Sequence, residues 1–145
     1  MKIRDILKVK EFKDRPVATV GTNELVSAAI KKLAEYDRGA LLVCNDKEEL
    51  IGIITERDIV RKCFVRGDDF INKKIADVMT KQVAIALPED DLDYAINTMK
   101  QKKIRHIPVV DNKKVLGMIS MRDILGFQHA ETKAEIRYVH LLAKR

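Results

Sequence analysis

Between Val26 and Leu33 the apolar side chains fall at Val26, Ala29, Ile30 and Leu33, the i, i+3, i+4, i+7 spacing of a helix with one buried stripe. The stripe returns 66 positions later as Leu92, Ala95, Ile96 and Met99. After each helix the period shortens. ALLVCND (Ala40 to Asp46) and HIPVVDN (His106 to Asn112) are apolar runs that end in polar turn residues, and LIGII (Leu50 to Ile54) and VLGMI (Val115 to Ile119) follow within a few residues. Connections that short predict two antiparallel hairpins. Ahead of the helices, VATV (Val17 to Val20) and VAIA (Val83 to Ala86) read as short strands, and second helices begin near Thr55 and near Ser120. Further upstream, KIRDIL (Lys2 to Leu7) resembles KIADVM (Lys74 to Met79).

The order strand, helix, strand, strand, helix is therefore written twice, an α/β (α+β) architecture made of tandem β-α-β-β-α units. The offset is 66 from Val17/Val83 through the helices and 65 from Gly52/Gly117, so the first copy holds one extra residue in its hairpin turn. Loop tips tolerate such an insertion. A unit of about 60 residues exposes too much apolar surface to stand alone. Two copies packed sheet to sheet about a pseudo-twofold axis hide those faces, at roughly 25 cal/mol per Å² of apolar area removed from water. The expected boundaries are 1–66 and 67–128 for the repeats, followed by 129–145, HAETKAEIRYVHLLAKR. That tail lacks Gly and Pro and reads as a C-terminal helix with Ile136, Val139, His140 and Leu141 or Leu142 along one side.

Composition narrows the function classes. The 145 residues are 46% hydrophobic and 34% charged, the balance of a soluble globular chain. No apolar run approaches the roughly 18 residues of a membrane helix, and MKIRDILKVK lacks the apolar centre of a signal peptide, so a cytoplasmic protein is expected. Cys44 and Cys63 have no CxxC spacing and read as buried thiols. The net charge of +6 favours an anionic partner, yet the basic residues are spread along the chain, and four Phe, three Tyr and no Trp give no base-stacking platform. Nucleic acid, through Lys133, Arg137, Lys144 and Arg145 of the tail, is the less favoured alternative to a solvated basic surface. No Gly-x-Ser-x-Gly, Walker or His-Glu-x-x-His pattern is present, and three scattered histidines offer no metal set. A non-enzymatic role is expected.

GIITERD (Gly52 to Asp58) and GMISMRD (Gly117 to Asp123) are the most specific feature. Thr55 with Asp58, and Ser120 with Asp123, have the spacing of a helix capping box, and the glycines could serve only strand packing. The same atoms also suit a ligand. Unpaired N–H groups at a helix start attract phosphate, a cap hydroxyl can join them, and a carboxylate, which repels phosphate, accepts hydrogen bonds from a vicinal diol. Hydroxyl and carboxylate at this spacing fit a ribose phosphate.

A tandem of units that each end in this phrase resembles the CBS domain pair, the regulatory module named after cystathionine β-synthase, over about residues 1 to 128. The resemblance implies a pseudo-twofold body with clefts for AMP, ADP, ATP or S-adenosylmethionine, often assembled as a homodimer that signals to an effector protein. It implies that Thr55 and Asp58 hold phosphate and ribose in one cleft, and Ser120 and Asp123 in the other. Arg105 and His106, in KKIRHIP (Lys102 to Pro108), would face the phosphates, with Arg57 and Arg122 as further phosphate partners or as surface ion pairs. Adenine would rest near Val20 and Ala40 in the first copy and near Ala86 and Ile107 in the second. Gly39 and Ala40 stand where the second copy has Arg105 and His106, so inequivalent clefts are expected.

Overall fold

The computed structural model describes residues 1–9, 14–66, 69–129 and 134–140. α1 (Ile3–Leu7) precedes β1 (Thr19–Gly21), α2 (Val26–Tyr36), β2 (Ala40–Cys44), β3 (Leu50–Thr55) and α3 (Glu56–Arg66). A 3-10 turn (Phe70–Asn72) then leads to α4 (Ile75–Val78), α5 (Leu92–Lys102), β4 (His106–Asp111), β5 (Lys114–Ser120) and α6 (Met121–Gln128). α2 buries Val26, Ala29 and Leu33, and α5 buries Leu92, Ala95 and Met99. The stripes are narrower than the spacing predicts, since Ile30 is exposed and Ile96 half-buried. Both helices stop on a left-handed residue, Asp37 (φ 50°) and Lys103 (φ 55°), at equivalent places.

The two hairpins form as expected, β2 with β3 and β4 with β5. Asn112 (φ 50°) and Lys113 (φ 68°) make a two-residue turn with positive φ at both central positions, whose twist suits the strands. Residues 45–49 separate the paired Cys44 and Leu50, whereas residues 111–114 separate Val110 and Val115, so the first turn carries the extra residue. Each hairpin has a bulge at the same place, after Val43 and after Val109.

The strands ahead of the helices differ. β1 pairs parallel with β2, but residues 83–86 contribute only one parallel bridge, Ala86 to Val109. Ala86 N–H donates to Pro108 O and Val110 N–H donates to Ala86 O, each at 2.9 Å. The next rung would need an N–H from Pro108, which has none. Its counterpart Leu42 does donate, to Ala18 O at 3.1 Å. One proline thus reduces an expected strand to a bridge.

The two copies exchange their leading helices. α1 buries Ile3 and Ile6 with Ala86, Leu92, Ala95, Met99 and Ile107 of the second copy, and α4 buries Ile75 and Val78 with Val26, Ala29, Leu33 and Leu41 of the first. The backbone seals this twice in the same way. Ile3 N–H donates to Asp90 O, Arg4 N–H to Pro88 O and Leu92 N–H to Met1 O, all at 2.9 Å. At the equivalent positions Ile75 N–H donates to Glu24 O (2.8 Å), Ala76 N–H to Thr22 O (3.1 Å) and Val26 N–H to Lys73 O (2.9 Å). A third cluster joins the sheets themselves: Ala40, Leu42 and Ile53 pack with Leu50, Val83, Val115 and Met118.

Two expectations fail. Residues 134–140 have no regular secondary structure and are exposed throughout, so the helix expected over 129–145 is absent there. Ile136 and Val139 are exposed among the described residues, and an unpacked helix of this length is marginal in water. Lys133, Leu141, Leu142, Lys144 and Arg145 lie outside the described residues. Nor are the thiols buried. Cys44 is half-buried and Cys63 exposed, because Ile59 alone among the described α3 side chains reaches the core. Among the described residues no helix is long and apolar enough to cross a membrane.

Because each leading helix belongs to the other copy's core, Ile6→Ala and Ile75→Ala should each cost about 2–5 kcal/mol. Each should also lower the stability of the whole chain in one urea transition, seen alike by circular dichroism and by tyrosine fluorescence. Separate transitions for the two copies would contradict the exchange.

Candidate functional site

Strand register builds the site. Ser120, the last residue of β5, pairs with His106, the first of β4; Thr55, the last of β3, pairs with Ala40, the first of β2. At both places the chain turns directly into a helix, which sets hydroxyl and carboxylate side by side at its first turn. Asp123 N–H donates to Ser120 Oγ at 3.1 Å and Ser120 N–H donates to Asp123 Oδ2 at 2.9 Å, a reciprocal capping box. In the first copy Asp58 N–H donates to Thr55 Oγ1 at 3.0 Å, while Asp58 Oδ2 lies 3.5 Å from the Thr80 hydroxyl.

An open cleft of about 1430 Å³ lies over the second phrase. Ser120, Arg122 and Asp123 form its floor, and Arg105 and His106 enter from the start of β4. Asp37, Arg38 and Gly39, from the α2–β2 turn of the first copy, form the facing wall. Pro16, Val17, Ala18, Leu116 and Met118 give it an apolar side.

The electrostatics centre on Asp123, whose side chain is only 11% exposed. Arg15 Nη1 donates to both its oxygens at 3.2 Å. Burial, and then the neighbouring Arg15, push the Arg38 guanidinium below its ordinary value, against the pull of Asp123 and Asp37. Burial also lowers His106 below 6.5; Asp123 opposes the shift and Arg105 adds to it, so the imidazole is neutral at pH 7. The ring lies against Gly39, where a Cβ would stand 3.0 Å from His106 Cε1. The glycine that occupies the place of Arg105 in the first copy makes room for the histidine of the second.

Of the residues singled out from the sequence, Ser120, Arg122, Asp123, Arg105 and His106 share this cleft. Glu56 reaches its edge, but Thr55, Arg57 and Asp58 do not line it. The strand end of the first phrase is crossed by another segment instead. Ile53 and Thr80 exchange backbone hydrogen bonds of 3.0 and 2.9 Å, and Lys62 Nζ donates to Val78 O at 2.6 Å. A Cβ on Gly52 would come within 2.5 Å of Met79 Sδ, whereas one on Gly117 would meet only Leu7 Cδ2, at 3.2 Å. Arg57 Nη1 lies 3.5 Å from Lys103 O, away from the cleft. Inequivalence therefore arises from more than the missing basic pair: Met79 packs closer on Gly52 than its counterpart Leu7 does on Gly117, and Thr80 is bridged to Ile53.

Val20, Ala40, Ala86 and Ile107 are all buried, and none lines the cleft. Strand alternation turns Ile107 inward when His106 faces out. Two basic residues escaped the sequence reading, Arg15 and Arg38. Arg38 lies inside DRGALLV, and Arg15 has a basic counterpart 66 positions on, Lys81. Neither signal says that Arg15 pairs with Asp123 of the other copy, or that Arg38 feels its charge.

Comparison with known proteins agrees with this organisation. The CBS domain family model matches residues 9–64 and 75–130. A mitochondrial CBS domain-containing protein of Arabidopsis thaliana is 34% identical over 140 residues, 93% of this chain and 68% of that protein. Some other curated relatives are far longer, and the chain spans less than half of their length. Among solved structures, a putative signal-transduction protein with CBS domains from Burkholderia ambifaria superposes with a TM-score of 0.83 at 34% identity, covering 94% of this chain and all (100%) of that one. The CBS domain pair of protein MJ0100, solved in complex with 5-methylthioadenosine and S-adenosyl-L-methionine, gives a TM-score of 0.75 at 27% identity over 88% of this chain and 95% of that one. The matched residues span both repeats and take in both copies of the glycine-to-aspartate phrase: this chain belongs to the CBS-domain family and carries a pair of CBS domains.

Proposed function

We propose that the chain is a non-catalytic regulatory module that binds an adenine nucleotide, AMP, ADP or ATP, in the cleft beside Ser120 and Asp123. Occupancy would alter the packing of the two copies, or of a homodimer, and so signal to an effector protein. The observation that carries this reading is a nearly buried carboxylate, one turn inside a capped helix start, with arginines around it in an open cleft. Asp123 accepts hydrogen bonds from the ribose diol. The N-terminus of α6, together with Arg122, Arg105 and Arg38, holds phosphate. Neutral His106 donates a single hydrogen bond. Adenine packs on Val17, Ala18, Leu116 and Met118 in place of the four buried residues named from the sequence.

In the first copy Thr55, Asp58 and Arg57 keep the phrase, but no Arg105–His106 pair stands beside it and Met79 and Thr80 cross its strand end, which supports one ligand per chain. S-adenosylmethionine is the second reading, supported by the ligands of the MJ0100 neighbour. Its sulfonium adds positive charge to a cleft already rich in guanidinium groups, which favours the nucleotide.

Calorimetric titration of ATP should give a stoichiometry near one. Asp123→Asn should weaken binding about 10- to 100-fold, the size of a charge-assisted hydrogen-bond pair, while Asp58→Asn changes it less than about twofold. Equal affinity of both variants and the parent would remove Asp123 from the ribose. Binding to a short RNA that falls steeply with salt, with flat nucleotide titrations, would favour a nucleic-acid partner instead.

His106 gives a pH prediction. Its folded-state value lies below 6.5, so as the pH falls the unfolded chain takes up this proton first. Its contribution to stability is complete above about pH 6.5 and is lost progressively below it. Urea midpoints measured from pH 8 to pH 5 should decline in that lower range, and His106→Gln should lack this part of the decline. An unaltered slope in the variant would rule the histidine out as its source.

A further inference from the structure

Arg15 stands in the segment between α1 and β1, yet its guanidinium lies on Asp123, 108 positions away in the other copy. Nη1 is 3.2 Å from both carboxylate oxygens, and Oδ2 also accepts from Ser120 N–H. Three of the roughly four acceptor positions of the carboxylate are therefore already engaged by the protein itself. The pair is sheltered, with side-chain exposures of 28% for Arg15 and 11% for Asp123.

We propose that Arg15 is a specificity-determining latch, which admits phosphate-bearing nucleotides to the cleft and disfavours nucleosides without phosphate. This rests on the nucleotide reading above and adds to it the selection of ligand class. A neutral nucleoside that takes Asp123 replaces one set of donors by another and breaks the sheltered Arg15–Asp123 ion pair, which is costly. The loss is aggravated by Arg38. Arg15 is already an unfavourable neighbour for that guanidinium, and Asp123, together with Asp37, offsets the repulsion. A phosphate carried in with the ribose offers the Arg15 guanidinium acceptor oxygens in place of Asp123, in the geometry arginine suits best. A sulfonium nucleoside is disfavoured twice, since it displaces Arg15 and brings a further positive charge.

The latch has a signature that simple phosphate attraction lacks: the effect of removing Arg15 changes sign with the ligand. In titrations of the full chain, Arg15→Gln should bind adenosine about tenfold more tightly than the parent and ATP about tenfold more weakly, so that discrimination between the two falls about 100-fold. Arg15→Lys keeps the charge but loses the planar guanidinium, and should move both affinities in the same directions by less. It also decides the matter if Arg15→Gln does not fold, which thermal unfolding reports. ATP binding to the parent combined with unchanged or weaker adenosine binding in the variants would overturn the latch and leave the nucleotide reading intact. Absence of binding of both ligands to the parent and to the variants would overturn both.

Discussion

The exchange of α1 and α4 is the constraint on which the rest depends. A single copy could form its helices and hairpin, but its core would lack the one helical turn, Ile3 and Ile6 or Ile75 and Val78, that the other copy supplies. Each leading helix also satisfies backbone donors at the start of the other copy's long helix, through Leu92 N–H to Met1 O and Val26 N–H to Lys73 O. Helix starts leave such donors without intrahelical partners, so the exchange closes polar and apolar requirements together. The pairing of the repeats is built into each core before the sheets meet at Ala40, Leu42, Ile53 and Met118.

Exchange also dictates where a cleft can exist. Each segment that leaves a leading helix must cross back to its own copy, and in doing so it passes the other copy's glycine-to-aspartate phrase. Met79 and Thr80 cross the first phrase as a hydrogen-bonded bridge to Ile53, packed on Gly52. Arg15 and Pro16 cross near the second phrase and line an open space there. Duplication thus supplies two equivalent positions, and a few residues make them unequal: Met79 over Gly52, Gly39 opposite His106, and Pro108 ending the ladder that Leu42 continues.

These particulars also mark what the sequence could and could not disclose. Local patterns were readable because they are set within a turn or a strand. The stripe at Val26, Ala29 and Leu33, the one-residue difference between the hairpin turns, and the cap at Ser120 all follow from nearest neighbours along the chain. Contacts across copies were not. KIRDIL and KIADVM are visibly alike, but nothing in their spacing says that each packs in the other's core. Arg15 belongs to the same class, and so do the four buried residues expected around adenine, which depend on which strand face meets the cleft. The tail failed for a different reason: its periodicity is real, but residues 134–140 are exposed among the described residues, and an amphipathic pattern that is not packed does not hold a helix.

The magnitudes show why such a site can respond without endangering the fold. Ile3 and Ile6 are wholly buried, and each contributes about 1.5–3 kcal/mol by leaving water. The polar contacts around Asp123 face an open cleft, where hydrogen bonds and ion pairs are exchanged for others at a net difference of about 1 kcal/mol or so. A ligand can therefore rearrange the cleft while the exchanged cores stay closed. Arg15 lies on the strand of chain that joins α1, in one core, to β1, in the other sheet. Any molecule that takes its carboxylate acts directly on the segment that crosses from the second copy's core to the first copy's sheet. The resulting shift is limited by the difference in that molecule's affinity for the two arrangements, a quantity set by the arginines and the aspartate rather than by the apolar cores.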